Sequence, residues 1–208
     1  MTDVSKVPAG HPEKPQGEDG RALLARMNGG KHERLSEWAF DHIHVAEDAR
    51  ALEIGCGGGA NLGRLLARAT DGHVTGLDYS PLSVATSLEF NAEAVEAGRC
   101  EVFEGTAESL PFADRSFDVV TAFETVYYWD LERAFAEVLR VLKPGGAFLI
   151  CNEDDGSQPG MHEFAAQIEG MRMYTPEEIK CALLVAGFPR VDANVDEDEH
   201  WMVLVGRC

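Results

Sequence analysis

Residues 51–59 read Ala-Leu-Glu-Ile-Gly-Cys-Gly-Gly-Gly. A short apolar run carries one acid, Glu53, and ends in glycines at 55, 57 and 59. A buried strand that turns sharply under a nucleotide-like ligand needs this pattern. Glycine permits the turn, and the missing side chain lets the ligand approach the backbone. The stretch therefore restricts the chain to folds in which a strand passes through a glycine turn into a helix.

The rest of the chain repeats that unit. Apolar runs at residues 51–54, 73–77, 100–104, 117–123 and 147–152 read as strands. The near-continuous run at 117–123 suits a strand covered on both faces. Helices are expected at 61–69 (Leu62, Leu65 and Leu66 on one face), from Pro81 to about 97, and at 131–142. Pro81 stands at a first-turn position, where its missing N–H costs nothing. Lys143-Pro144-Gly145-Gly146 reads as a sharp turn between helix and strand, with no chemistry assigned. Another helix starts at Thr175, a good N-cap, and stops at Gly187. Two last strands, near 190–195 and 200–206, flank an acidic turn. Their connection is too short for a parallel crossover, so that pair is antiparallel. The expected fold class is α/β: a Rossmann-like, seven-stranded, mainly parallel sheet with helices on both faces and an antiparallel last strand.

The length of 208 residues suits one domain. Residues 1–20 mix glycine, proline and charge and are expected to be a mobile tail. Residues 21–208 make one domain, and 21–45 are expected to form a helical lid, a short helix at 21–27 and a second at 32–44. The formal charge of -18 argues against a partner held through phosphates, so no nucleic acid is expected. Cys56, Cys100, Cys151, Cys181 and Cys208 are odd in number and lack the close spacing of a zinc site. Free thiols and no metal are expected, in a reducing cytoplasm. No apolar run is long enough to span a membrane, and no signal-peptide core opens the sequence.

Ligands of open parallel sheets sit beyond the carboxyl ends of the strands. Polar residues gather there: Glu53 to Gly59 after the first strand, Asp78 after the second, Thr106-Ala107-Glu108 after the third, Phe123-Glu124-Thr125 after the fourth, Asn152-Glu153 after the fifth. Asp78 lies 25 residues beyond Glu53, which suits an acid that accepts hydrogen bonds from ribose hydroxyls. The same acid could cap the turn before Ser80-Pro81. Tyr79 could lay its ring on a base or stand on the surface.

These segments together resemble the class I S-adenosylmethionine-dependent methyltransferases, and most of all the small "type 11" group that includes ubiquinone and menaquinone C-methyltransferases. The likeness rests on Leu-Glu-Ile-Gly-Cys-Gly-Gly-Gly (52–59), Val-Thr-Gly-Leu-Asp-Tyr-Ser (74–80), Ala-Glu-Ser-Leu-Pro-Phe (107–112), Ser-Phe-Asp-Val-Val (116–120) and Arg-Val-Leu-Lys-Pro-Gly-Gly (140–146), in order over about residues 45–152. It implies a methyltransferase with S-adenosylmethionine as cofactor and a small-molecule acceptor. Gly55, Cys56, Gly57 and Gly59 would line the methionine part of the cofactor, with Glu53 toward its ammonium. Asp78 would hold the ribose. Tyr79, Thr106, Ala107 and Glu108 would lie toward the adenine, with Phe123 completing the set. Many relatives have Asp where this chain has Thr106, whose hydroxyl is only a neutral partner.

The stretch after the fourth strand, Phe123-Glu124-Thr125-Val126-Tyr127-Tyr128-Trp129, would lie nearest the transferred methyl. It lacks the Asn/Asp-Pro-Pro-Tyr/Phe sequence of DNA-adenine and protein-amide methylases. Glu124 is the candidate catalytic residue, as a base or as a site for a cationic acceptor; a hydrogen bond to nearby backbone is its structural alternative. Tyr128, Trp38 and His32 are the candidate acceptor contacts, against ordinary packing or surface roles. Only about 22 residues separate the fifth strand from the helix at Thr175. That implies an open site, a small cap or help from a second subunit, so a homodimer is among the expected arrangements. The readings from other classes are a non-catalytic cofactor-binding scaffold and an NAD-dependent oxidoreductase.

Overall fold

The structure is a computed structural model describing residues 14–208. Its strands are β1 Arg50–Ile54, β2 His73–Asp78, β3 Cys100–Glu104, β4 Phe117–Phe123, β5 Leu142–Asn152, β6 Arg190–Asp196 and β7 Trp201–Arg207. They form one sheet in the order β3-β2-β1-β4-β5-β7-β6. Neighbours from β3 through to β5 pair in parallel, and β7 runs antiparallel to both β5 and β6. The helices are α1 Gly17–Met27, α2 Lys31–Phe40, α3 Ala60–Arg68, α4 Pro81–Phe90, α5 Ala92–Glu96, α6 Leu131–Val141, α7 Met161–Ala165 and α8 Pro176–Ala186.

Alternation along the strands divides the core in two. Ala51, Val119, Leu149 and Val203 face one side, where Leu35 and Ala39 of α2 and Leu62 and Leu65 of α3 cover them. Leu52, Val120, Phe148 and Leu204 face the other, under Phe135 and Val138 of α6 and Ile179 and Leu183 of α8. Local chemistry sets the helix ends. The Ser80 hydroxyl accepts the Ser83 N–H ahead of α4. Thr175 and Glu178 form a reciprocal capping box on α8, which closes at Gly187 with φ +108°.

The structure departs from the sequence expectations in four places. Residues 1–13 of the expected tail lie outside the described residues. Residues 17–20 are the first turn of α1, held by the Gly20 N–H to the Gln16 carbonyl and by packing of Gly20 against Pro15 and Leu82. The second helix ends at Phe40, not 44. The helix expected from Pro81 to about 97 breaks at Asn91, because its side-chain amide turns inward and donates to the Gly59 and Ser87 carbonyls. Finally, Lys143 to Gly146 lie inside β5. The step from Phe117 to Val119 on β4 is matched by the step from Leu142 to Ala147 on β5, so the four residues form a bulge that lets α6 run directly into the strand.

That bulge belongs to a wider brace. Arg140 sits one turn before it and donates to the carbonyls of Leu110 (3.0 Å) and Phe112 (2.7 Å), while Glu137 accepts the Leu110 N–H (2.8 Å). The side chains of α6 thereby fix the 107–112 segment at the carboxyl end of β3.

Candidate active site

The carboxyl ends of β1 and β4 open into a cleft of about 470 Å³, its mouth included. The glycine loop forms its floor. Gly55, Gly57 and Gly59 have φ of +75°, +52° and +87°. A Cβ on Gly55 would stand 2.3 Å from Thr125 Oγ1, so glycine is required there for space as well as for backbone conformation. The loop is held from three sides. Asp78 accepts the N–H groups of Gly57 and Ser80, each at 2.9 Å. Ser87 donates to the Gly57 carbonyl at 2.9 Å, and Asn91 to the Gly59 carbonyl at 3.0 Å. From above, Asn28 donates to the Gly58 carbonyl at 2.9 Å.

Asp78 therefore takes up its structural alternative: it caps the turn and ties the glycine loop to the end of β2. Each carboxylate oxygen accepts one backbone N–H, and the Ser83 side chain adds a further hydrogen bond. Burial raises its pKa against the lowering effect of the Ser80 and Gly57 N–H groups.

Glu53 is buried in the cleft wall. It accepts a short hydrogen bond from Thr121, its cross-strand neighbour on β4. Desolvation pushes its pKa up to about 8, against the lowering effects of Thr121, Asn61 and Arg64. Asn61 and Arg64 lie three residues apart on α3, hydrogen-bonded to one another at 3.1 Å, and both line the cleft. Sequence reading missed them. The available signal was polarity on the α3 face opposite Leu62, Leu65 and Leu66, in the first turns after the glycine loop.

Cys56 lines the cleft as a buried thiol whose pKa is raised well above the usual range by burial and by Asp78. Phe123, Glu124 and His32 complete the wall. Glu124 has φ +57° and accepts the Glu153 backbone N–H, so its structural alternative also holds, within the cleft. Tyr128 packs beside Tyr127, Ala165 and Met173, next to Met161 and Met171.

The remaining expected residues lie outside the cleft lining. Thr106 is exposed and forms a bridge with Ser109. Ala107 is buried in the α6 face of the core, and Glu108 accepts the Asp130 N–H at 3.1 Å. Tyr79 lies beneath the Lys14 ammonium, 5.5 Å from its ring centre. Trp38 is outside the cleft lining: its ring meets His42 edge-on (5.0 Å) and lies tilted against Trp201 (5.9 Å), packed on the core.

The donor set fits the amino-acid end of S-adenosylmethionine. Glu53 and Asn61 offer acceptors for an ammonium, Arg64 offers a guanidinium for a carboxylate, and the glycines keep Cβ atoms out of the way.

Comparison with known proteins finds methyltransferases. A family model described as a methyltransferase domain matches residues 52–150. The sterol 24-C-methyltransferase erg-4 of Neurospora crassa is 36% identical over 116 residues, which is 55% of this chain and 30% of that protein. The methyltransferase phqN of Penicillium fellutanum is 29% identical over 197 residues, 86% of this chain and 60% of that protein. The chain thus spans between about a third and three fifths of the length of these two relatives. A SAM dependent methyltransferase from Aquifex aeolicus shares the fold with a TM-score of 0.73 at 18% identity, covering 89% of this chain and 97% of that one. Residues 52–150 thus match the methyltransferase-domain model, and the chain shares its fold with a SAM dependent methyltransferase.

Proposed function

We propose that this protein transfers a methyl group from S-adenosylmethionine to a small, largely apolar acceptor. The observation that carries the reading is one continuous wall: the glycine loop, Glu53, Asn61 and Arg64 line the same cleft as Phe123 and Glu124. Cofactor residues and the stretch expected nearest the methyl group thus share one space. When bound, S-adenosylmethionine supplies an electrophilic methyl on a sulfonium. The chain's own task is to position the acceptor and exclude water.

Glu53, Asn61 and Arg64 hold the amino-acid end, Asp78 the ribose, and the 106–108 segment the adenine side. Glu124 faces the acceptor, where it takes a proton or holds a positive charge. After Glu124 in the chain, Tyr127, Tyr128, Met161, Met171 and Met173 pack together in an apolar, adaptable cluster, which we assign to the acceptor side. That cluster suits a flat or branched hydrocarbon body with one polar nucleophilic atom, as quinones and sterols have. Gly29 and Gly30 let the turn before α2 move as the acceptor enters. Among the described residues no helix is long and apolar enough to cross a membrane, and we place the protein in the cytoplasm.

Calorimetric titration with S-adenosylhomocysteine, with NAD in parallel, tests the reading. Micromolar binding of the first and none of the second is expected. Binding of NAD, or of neither, would overturn it.

A further inference from the structure

Three side chains from separate elements meet at the acceptor end of the cleft. His32 lies in the first turn of α2, Glu124 just after β4 and Glu153 just after β5. One donor atom from each lies within 4.8 Å of the other two, and all three side chains are half-buried. We propose that His32, Glu124 and Glu153 bind one divalent first-row transition-metal ion, and that the ion takes an oxygen of the methyl acceptor as a further ligand. The ion site stands on this geometry alone; the acceptor's role in it rests on the methyltransferase reading.

The donor set decides the class of ion. One imidazole nitrogen with two carboxylate oxygens is a borderline-to-hard set, suited to Mn²⁺, Fe²⁺ or Zn²⁺ rather than to an ion that needs thiolate. Cys151, buried two residues before Glu153, is not part of the donor cluster. The charge balance agrees. A neutral imidazole and two carboxylates sum to the charge that one dication cancels. Buried Asp154 follows Glu153 directly and adds to the negative charge near the site.

The supports are built in. The Glu124 N–H donates to the Cys151 carbonyl at 3.0 Å, and its carboxylate accepts the Glu153 N–H, so the two carboxylate ligands are fixed to one another through β5. Three protein ligands leave coordination positions open, as catalytic metal sites require. His32 follows Gly29 and Gly30, so an ion here would also pin the start of α2 to the ends of β4 and β5. In that position the ion acts as a Lewis acid. It lowers the pKa of an acceptor hydroxyl, whose proton passes to solvent water, and holds the resulting oxyanion beside the cleft wall until its oxygen takes the methyl group from the sulfonium, with no change of oxidation state.

The test uses the full, tag-free chain stripped with chelator and titrated with Mn²⁺, read by calorimetry and electron paramagnetic resonance. S-adenosylhomocysteine binding is measured on the same samples. One bound Mn²⁺ per chain is expected, with a nitrogen coupling that disappears in His32→Gln. Affinity should fall by more than about tenfold in both His32→Gln and Glu153→Gln, while S-adenosylhomocysteine affinity stays within about twofold. No stoichiometric ion, or one that both variants bind unchanged, overturns the proposal; if S-adenosylhomocysteine still binds, the methyltransferase reading survives. An ion without S-adenosylhomocysteine binding upholds the site and removes that reading.

Discussion

On the β1–β2 side of the cleft, a backbone loop pinned by side chains faces the ligand, beside Glu53, Asn61 and Arg64, which are bonded to other side chains. Gly57 is held by Asp78 and Ser87, Gly59 by Asn91, and Gly58 by Asn28. On the β4–β5 side, the cleft is lined by side chains at a strand end, Phe123 and Glu124, with Glu153 beside Glu124 and the Tyr128 and methionine cluster following in the chain. The first half is preorganised for one shape, as a shared cofactor requires. The second can be rebuilt residue by residue without touching the sheet, which is how one fold serves many acceptors.

The largest effect should come from breaking the backbone-built half. Gly55→Ala puts a Cβ onto Thr125 at a φ of +75°, and should cost about 2–5 kcal/mol by thermal unfolding. Gly98→Ala, at φ +70° with nothing within 4 Å, isolates the conformational part at about 1 kcal/mol. Equal losses would show that crowding at Gly55 contributes nothing.

Asp78→Ala removes two loop contacts together with the ribose acceptor. S-adenosylhomocysteine binding should weaken by about 1.5–3 kcal/mol; unchanged affinity would place the ribose elsewhere.

Glu53 gives the comparison a pH axis. Its native pKa of about 8 lies above the ordinary 4.5. The unfolded chain releases this proton near 4.5, and the native chain holds it until about 8. The stabilising contribution is therefore complete below about pH 4.5, declines between the two values and is absent above about 8. In melts of the unliganded protein, Glu53→Gln should flatten that decline. A ligand ammonium favours the carboxylate, so cofactor binding near neutral pH should release a proton, measurable in buffers of different ionisation heat. Proton uptake instead would remove Glu53 from the ammonium role.

Asn28→Ala should weaken S-adenosylhomocysteine binding by about 1 kcal/mol, through loss of the hydrogen bond that holds the Gly58 carbonyl. The smallest effect on cofactor affinity, under about twofold, is expected for Glu124→Gln, which should instead change turnover with the acceptor. A larger loss of affinity would move Glu124 to the other side of the comparison.

The same division explains what could be read from sequence. β3 and β4 lie at their expected bounds, because their apolar runs and flanking turns are local signals. The glycine loop and Asp78 were legible because spacing along the chain encodes them. Thr121 was not: its bond to Glu53 comes from the register of two strands paired far apart in sequence. The break at Asn91 was hidden for a similar reason, since the carbonyl it serves belongs to Gly59 on another element. That Trp38 packs on the core and lies outside the cleft lining was not legible, because helical spacing shows an apolar face without showing which layer it meets. The His32, Glu124 and Glu153 cluster has no spacing signature, as its members come from three elements.

The placement of β7 between β5 and β6 also dictates an order of assembly. Residues 190–196 precede residues 201–207 in the chain, yet β6 reaches the sheet only through β7. As the chain leaves the ribosome, β1 to β5 can pair in turn with their own neighbours. β5 then stays an open edge, and β6 has nothing to join, until the next strand arrives and closes both ladders in one step. A nascent chain halted before Trp201 would present that bare β5 edge to any passing strand, which makes the interval before β7 emerges the time of greatest exposure to misassembly.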